Sequence, residues 1–222
     1  MFLSNPAKSF LASLFILIST AGCGFVGSEE NDSAPVVDGP KSKIPFRTKE
    51  PESFQCEIVE TAGDSVRRIR LAKKGTWRRI DFDPGEKTHR AVLQTDKEYV
   101  IEFARGAYAE SAAGSGGQFS ELTHELLNNL RHAEFEESAR EGSIIRYTVR
   151  PADSEASEIV VHYDESIGMP VKQEFFSTAG EARTLQFLVE LINFRTEPDA
   201  DAFAVPAVFR KLSMAELLAR SN

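Results

Sequence analysis

The sequence predicts an α+β domain built on one strongly curved antiparallel sheet, and three observations carry that prediction. From Phe54 onward, short runs with apolar residues on alternate positions follow one another, with turn residues about every eight to twelve positions. A single amphipathic helical pattern interrupts them after the glycine-rich break AAGSGG at 112–117. Once the apolar N-terminal segment is set aside, roughly 200 residues remain, enough for one large β domain or two small ones.

The elements follow in order. FQCEIVETA sets Phe54, Cys56 and Ile58 against Gln55 and Glu57, and Gly63-Asp64 turns the chain. SVRRIRLAKK places Ile69 and Leu71 on one side; after Gly75-Thr76, TWRRIDFD does the same with Ile80 and Phe82. KTHRAVLQT and EYVIEFA, parted at Asp96-Lys97, complete a meander of five strands. In QFSELTHELLNNLRH, residues 118–132, Phe119, Leu122, Leu126, Leu127 and Leu130 share one helical face. The glycines before it are no phosphate loop, because the lysine and the Ser/Thr that such a loop needs are missing. GSIIRYTVRP, SEIVVHYDE, PVKQEFFST and ARTLQFLVELINFR resume the strand pattern. Near the C-terminus Ser213 and Glu216 fit a capping box, with Leu212 and Leu217 as its hydrophobic staple. The sum is about nine to eleven strands and two helices, with strands on both sides of the first helix.

The N-terminus has a different character. Lys8 precedes about nine mostly apolar residues, Phe10 to Ile18, the length of a signal-peptide apolar region and short of the roughly 20 residues a spanning helix needs. Ser19-Thr20-Ala21-Gly22 then leads into Cys23, in the manner of a bacterial lipoprotein signal, which makes Cys23 the expected lipidation site. Two or three acyl chains, at about 0.8 kcal/mol per buried methylene, give lasting attachment where one does not. Residues 1–22 are thus expected as signal peptide and 23–52 as lipidated cysteine and disordered tether, the latter rich in charge and carrying Pro35, Pro40, Pro45 and Pro51. Residues 53–222 are expected as the folded domain.

The whole chain has a net charge of −8, and losing Lys8 makes it one unit more negative. Such acidity argues against nucleic acid as a partner. With Cys23 acylated, Cys56 is the one remaining thiol, so burial and not a disulfide must hold the domain.

The lipoprotein-type cysteine, the meander with turns such as DFDPGEKTH, the interposed helix and the ending INFRTEPDADAFAVPAVFRKL resemble the superfamily of lipoprotein carriers and outer-membrane lipoprotein receptors of the Lol type, across roughly residues 53 to 212. That resemblance implies a half-barrel with a few helices lidding a concave face that holds acyl chains. It also implies a cell-envelope location facing the periplasm. Gly24 stands where an aspartate retains lipoproteins in the inner membrane of the resembling enterobacterial systems, which favours the outer membrane.

On the residues alone, an open sheet must cover its apolar face, and two helices of about 14 and 8 residues are little cover for so many strands. The expected concave, lipid-binding positions are Phe54, Ile58, Ile69, Leu71, Ile80, Phe82, Leu93, Tyr99, Ile101, Phe103, Tyr147, Tyr163, Phe175 and Phe187. The alternative is that these side chains meet one another in a closed core. Arg67, Arg68, Arg70, Arg78 and Arg79 form a basic run that would gather on adjoining strands as a patch for anionic head groups or an acidic protein partner; the plainer alternative is a solvated face paired with carboxylates.

Nothing in the spacing suggests an enzyme, a metal or a cofactor. His124 and His132 stand two helical turns apart, and His162 with Asp164 supplies two ligands where zinc needs three or four. His89 has no paired carboxylate nearby in sequence, and Cys56 alternates with apolar neighbours as a core residue does. Two functions follow as expectations: an anchored envelope lipoprotein that binds a lipid or lipoprotein acyl chain, or a protein-interaction module on the same scaffold with a filled core.

Overall fold

Tight turns set the spacing of the strands. Gly63 and Gly75 occupy left-handed backbone (φ 57° and 60°), as two-residue hairpin loops require, and they connect β1 (Ser53–Ala62), β2 (Ser65–Lys74) and β3 (Trp77–Phe82). β4 (Arg90–Gln94), β5 (Lys97–Glu102) and β6 (Ala107–Ala112) continue this first meander. A second one comprises β7 (Ala133–Glu141), β8 (Ile144–Pro151), β9 (Ser157–Asp164), β10 (Met169–Ser177) and β11 (Thr184–Arg195). The computed structural model describes residues 44–47, 49–112, 133–151, 156–180 and 182–219.

The two meanders join where β1 pairs with β11. With β12 (Arg210–Lys211), which lies parallel to β6, they make one open sheet of 12 strands in the order β12-β6-β5-β4-β3-β2-β1-β11-β10-β9-β8-β7. Every other pairing is antiparallel. Register shifts at Gln55/Glu57, Pro170/Lys172, Phe175/Phe176 and Glu137/Ala139 bend the strands and increase their twist, consistent with a curved sheet.

Three strands are absent from the sequence prediction: β6, β7 and β12, of which β7 and the two-residue β12 are the edges of the sheet. β6, AYAESA, is alanine-rich, and β7, AEFEESARE, is mostly exposed and charged. Edges need no two-sided apolar pattern, and charge on them discourages pairing with other chains. Phe103, expected on β5, lies in a single 3₁₀ turn, Phe103–Arg105.

The lid of helices is not supported. Among the described residues the one α-helix is α1 (Met214–Leu218); the helix expected over 118–132 falls outside those residues. α1 has the expected capping box between Ser213 and Glu216, and Leu212 and Leu217 pack together with Ala107, Ala109 and Val100. Arg105 donates to the carbonyls of Leu217 (2.5 Å) and Glu216 (3.1 Å), satisfying the helix C-terminus. The short helix thus caps the β5–β6 corner.

Candidate functional site

Cross-strand partners project from the same side of a sheet, so the register sorts side chains into two faces. The front carries the rows Cys56–Leu71–Ile80 and Ile58–Ile69–Phe82. It continues through Leu191 opposite Ile58, then Val189–Gln173–Val161–Tyr147 and Phe187–Phe175–Ile159–Val149. Phe54 stacks on Phe194 there, ring centroids 5.8 Å apart. Ten of the expected concave positions share this face: Phe54, Ile58, Ile69, Leu71, Ile80, Phe82, Tyr147, Tyr163, Phe175 and Phe187.

The other four do not. Leu93 pairs with Arg79 and Tyr99, and Ile101 with Ala91 and Tyr108, which places Leu93, Tyr99 and Ile101 on the back. With Phe103 they pack under Phe203, Val205 and Phe209 from the segment after β11. Alternation fixes sides within a strand but not which side is shared with the next strand. In RAVLQ and KEYVIE the smaller Val92 and Val100 take the front while the bulkier neighbours face back.

A polar cluster fastens that C-terminal segment. Arg79 grips Asp81 through two bonds (2.7 and 2.9 Å) and donates to the carbonyls of Ala202 and Ala204. His89 Nε2 lies 2.8 Å from Asp81 Oδ1, and its ring stacks on Phe103 at 3.6 Å. Gln55 and Asp199 exchange two 2.9 Å bonds. The carboxylate partner of His89 is therefore Asp81, eight residues upstream. Asp81 projects from the back and Cys56 from the front, so the imidazole–carboxylate pair has no thiol to activate. Burial, then Glu50 and Glu57, push the Cys56 thiol up to about 12, the state of an inert core cysteine. His162 bonds Glu174 at 2.8 Å, and among the described residues no group of three potential metal ligands is present.

Residues 44–47 and 49–52, expected as tether, pack on the front as a strap. Phe46 stacks on Tyr163 (5.2 Å) and meets Tyr147 (5.4 Å) and Phe135 (5.9 Å), with Ile44 beside it. A few residues on, the Glu50 carboxylate, with no exposed side-chain surface, is bound by Arg78 and lies 3.6 Å from Lys73. Lys73 also donates to Pro51 O, and Gly75 N to Glu52 O. The strap thus links β7–β9 to β2–β3. Four residues span about 13 Å when extended, against about 19 Å for the four strand spacings from β9 to β2 in a flat sheet. A sheet curved toward the strap shortens that gap. The apolar pair in Ile44-Pro45-Phe46 is the signal in the sequence, hidden among prolines and charges.

One side chain on the front contradicts its surroundings. Gln173 is 1% exposed, and neither its Oε1 nor its Nε2 has a hydrogen-bond partner. Its cross-strand neighbours are Val189 and Val161. A buried amide left in this state costs about 1–3 kcal/mol, so it calls for an explanation. Glu98, on the same face at β5, leaves Oε2 unpartnered.

The five arginines are not brought together. Arg67 and Arg78 face front, Arg68, Arg70 and Arg79 back. Arg67 lies over the Phe82 ring and 3.9 Å from Asp83, Arg78 binds Glu50, and Arg79 binds Asp81. Arg68 and Arg70 share Glu57 at 3.8 and 4.0 Å. A separate pocket of about 380 Å³ opens on the back, walled by Trp77, Tyr99, Tyr108 and Phe203, with Asp96 and Glu110 among its polar groups.

Fold and site together define an open antiparallel sheet with a largely apolar front interrupted by Gln173. Solved structures similar to this chain include a LolA superfamily protein from Nitrosomonas europaea, 13% identical with TM-score 0.28, the match covering 69% of this chain and 90% of that one. The MucA/MucB complex of Pseudomonas aeruginosa is 14% identical with TM-score 0.46, over 73% of this chain and 59% of that one. A conserved protein from Thermus thermophilus is 10% identical with TM-score 0.44, over 72% and 90%. This chain therefore spans about three fifths of the length of the MucB chain it matches. No protein-family model matches the sequence, and comparison with curated proteins gives no match.

Proposed function

We propose that this protein is an envelope lipoprotein, anchored through an acylated Cys23 and facing the periplasm, that binds the acyl chain of a lipid or lipoprotein on the front of its sheet. Its role is lipid or lipoprotein localisation or sensing, without catalysis, and the outer membrane is its expected site. The observation that carries this reading is the apolar front that runs from Ile80 and Phe82 through Ile58 and Leu191 to Phe175 and Tyr147, with Gln173 as its polar interruption, on a sheet that does not close. The side chains of this front are themselves buried, Val161 at 0% and Phe187 at 5% exposed, so an acyl chain packs among them, each methylene contributing about 0.8 kcal/mol. Native mass spectrometry with lipid extraction on the detergent-free protein is expected to show bound phospholipid or fatty acid. An unliganded mass that stays unchanged on lipid addition would reject the reading.

A second reading, an envelope protein-interaction module, is favoured by the back pocket, where Trp77 is 46% exposed beside Phe203, Tyr99 and Tyr108. Exposed aromatics of this kind anchor protein contacts. Site-specific crosslinking from position 77 would recover the partner if this reading holds.

A further inference from the structure

Resting on the acyl-binding reading above, we infer that Gln173 is a polar subsite within the apolar front, and that it recognises the acyl carbonyl joining a hydrocarbon chain to its head group. Ligands whose chains carry an ester or amide carbonyl are therefore preferred over ligands with the same chains alone.

The argument starts from the amide itself. Gln173 is almost wholly buried, and both ends of its amide lack partners. β10 places it between Val189 of β11 and Val161 of β9, with Phe175 and Phe187 paired in the next front row. A water molecule needs two to four polar partners to be held in a protein interior. The cross-strand neighbours here are valines, so a water at Gln173 would have little beyond the amide to bond. A carbonyl that arrives attached to a hydrocarbon chain has no such difficulty. The chain packs on the valines and phenylalanines while its oxygen accepts from Gln173 Nε2. Where the ligand is an amide, its N–H also donates to Gln173 Oε1, using both orphaned atoms.

Such a group makes a sharp discriminator. A site built to hydrogen-bond rejects an analogue that lacks the matching atom more strongly than an apolar wall distinguishes one methylene from another. The unliganded protein carries the unpaired amide as a local destabilisation, so stability and selectivity trade against each other at this one position.

The test uses two phosphatidylglycerols with the same head group and chain length, one a dipalmitoyl ester and the other a dihexadecyl ether without acyl carbonyls. They compete at equal concentration for the full chain, read by native mass spectrometry. The wild type is expected to favour the ester about tenfold. Gln173→Met, close in shape, is expected to bind both equally and to melt at a higher temperature without lipid; Gln173→Leu serves if the first variant folds poorly. Equal binding by the wild type, or an ester preference that survives in the variants, overturns the inference while leaving acyl binding intact. Binding of neither lipid rejects the underlying reading as well.

Discussion

The arm formed by β3–β6 and the arm formed by β7–β10 solve the same problem in opposite ways. In the first, short strands carry apolar side chains on both faces. The back is covered by Phe203, Val205 and Phe209 and the β5–β6 corner of the front by α1. In the second, longer strands keep most of their buried side chains on the front, Val160 being buried on the back beside Thr148 and Glu174. Their back is charged, with Glu174 between His162 (2.8 Å) and Lys172 (3.4 Å). Burial alone would raise the Glu174 carboxyl, but the His162 hydrogen bond and Lys172 hold it below its ordinary value. The first arm is built as a core with chain on both sides. The second depends on what lies over its front, where the strap supplies Ile44 and Phe46 at one end. The difference teaches where a ligand would act: on the one-sided arm and the central strands, not on the arm that is already sandwiched.

The largest expected effect breaks the tie between the arms. Glu50→Ala leaves Arg78 and Lys73 buried without that carboxylate, and is expected to cost about 3–5 kcal/mol in urea denaturation; a loss below about 1 kcal/mol would mean that the strap is not fastened there. Leu93→Ala, in the sandwiched arm, should cost about 2–4 kcal/mol and leave lipid binding unchanged. Phe187→Ala should cost about as much and also weaken lipid binding, and equal effects on binding from the two would erase the distinction between faces. Phe46→Ala, at a half-buried site, is expected to cost about 2 kcal/mol, with faster amide exchange in β7–β9 and none added in β4–β6.

Smaller still is an acid effect on the cover of the first arm. The Arg195 hydrogen bond, then that from Gln55, holds the Asp199 carboxyl below its ordinary value. A depressed folded value means that its contribution is complete above about pH 4 and is lost as pH falls through that lower value. Limited proteolysis should therefore cut within 199–209 first as the solution is acidified below pH 4; cleavage insensitive to pH would remove Asp199 from the fastening. Arg68→Ser with Arg70→Ser should change stability by no more than about 0.5 kcal/mol. A larger loss in the same denaturation assay would return weight to the basic strands.

Period-two patterning made most of the central strands legible, and the capping box at Ser213 was legible to the residue. β6 and β7 were not: AYAESA, paired between β5 and β12, buries alanines and so carries little apolar signal, and AEFEESARE is an edge strand, mostly exposed and charged. The faces of β4 and β5 were misassigned because bulk is not a guide to direction: Val92 and Val100 face front although Leu93 and Tyr99 are larger. The dispersal of the arginines follows from the same alternation, since Arg67 and Arg68 must diverge. The strap was hidden by its composition. Gln173 stood in phase with Phe175 and so was legible as inward-facing, but only the register shows the valines on either side of it.

The account's central claim is that hydrocarbon binds the front of the one-sided arm and the central strands. Photocrosslinking with a diazirine-bearing palmitate, mapped by peptide mass spectrometry, tests it directly. The account predicts adducts on the front residues of β1 and β9–β11, among them Ile58, Val161, Phe175 and Val189. Adducts concentrated on Leu93, Tyr99, Ile101 and Phe203, or none above the level seen with unfolded protein, would contradict it.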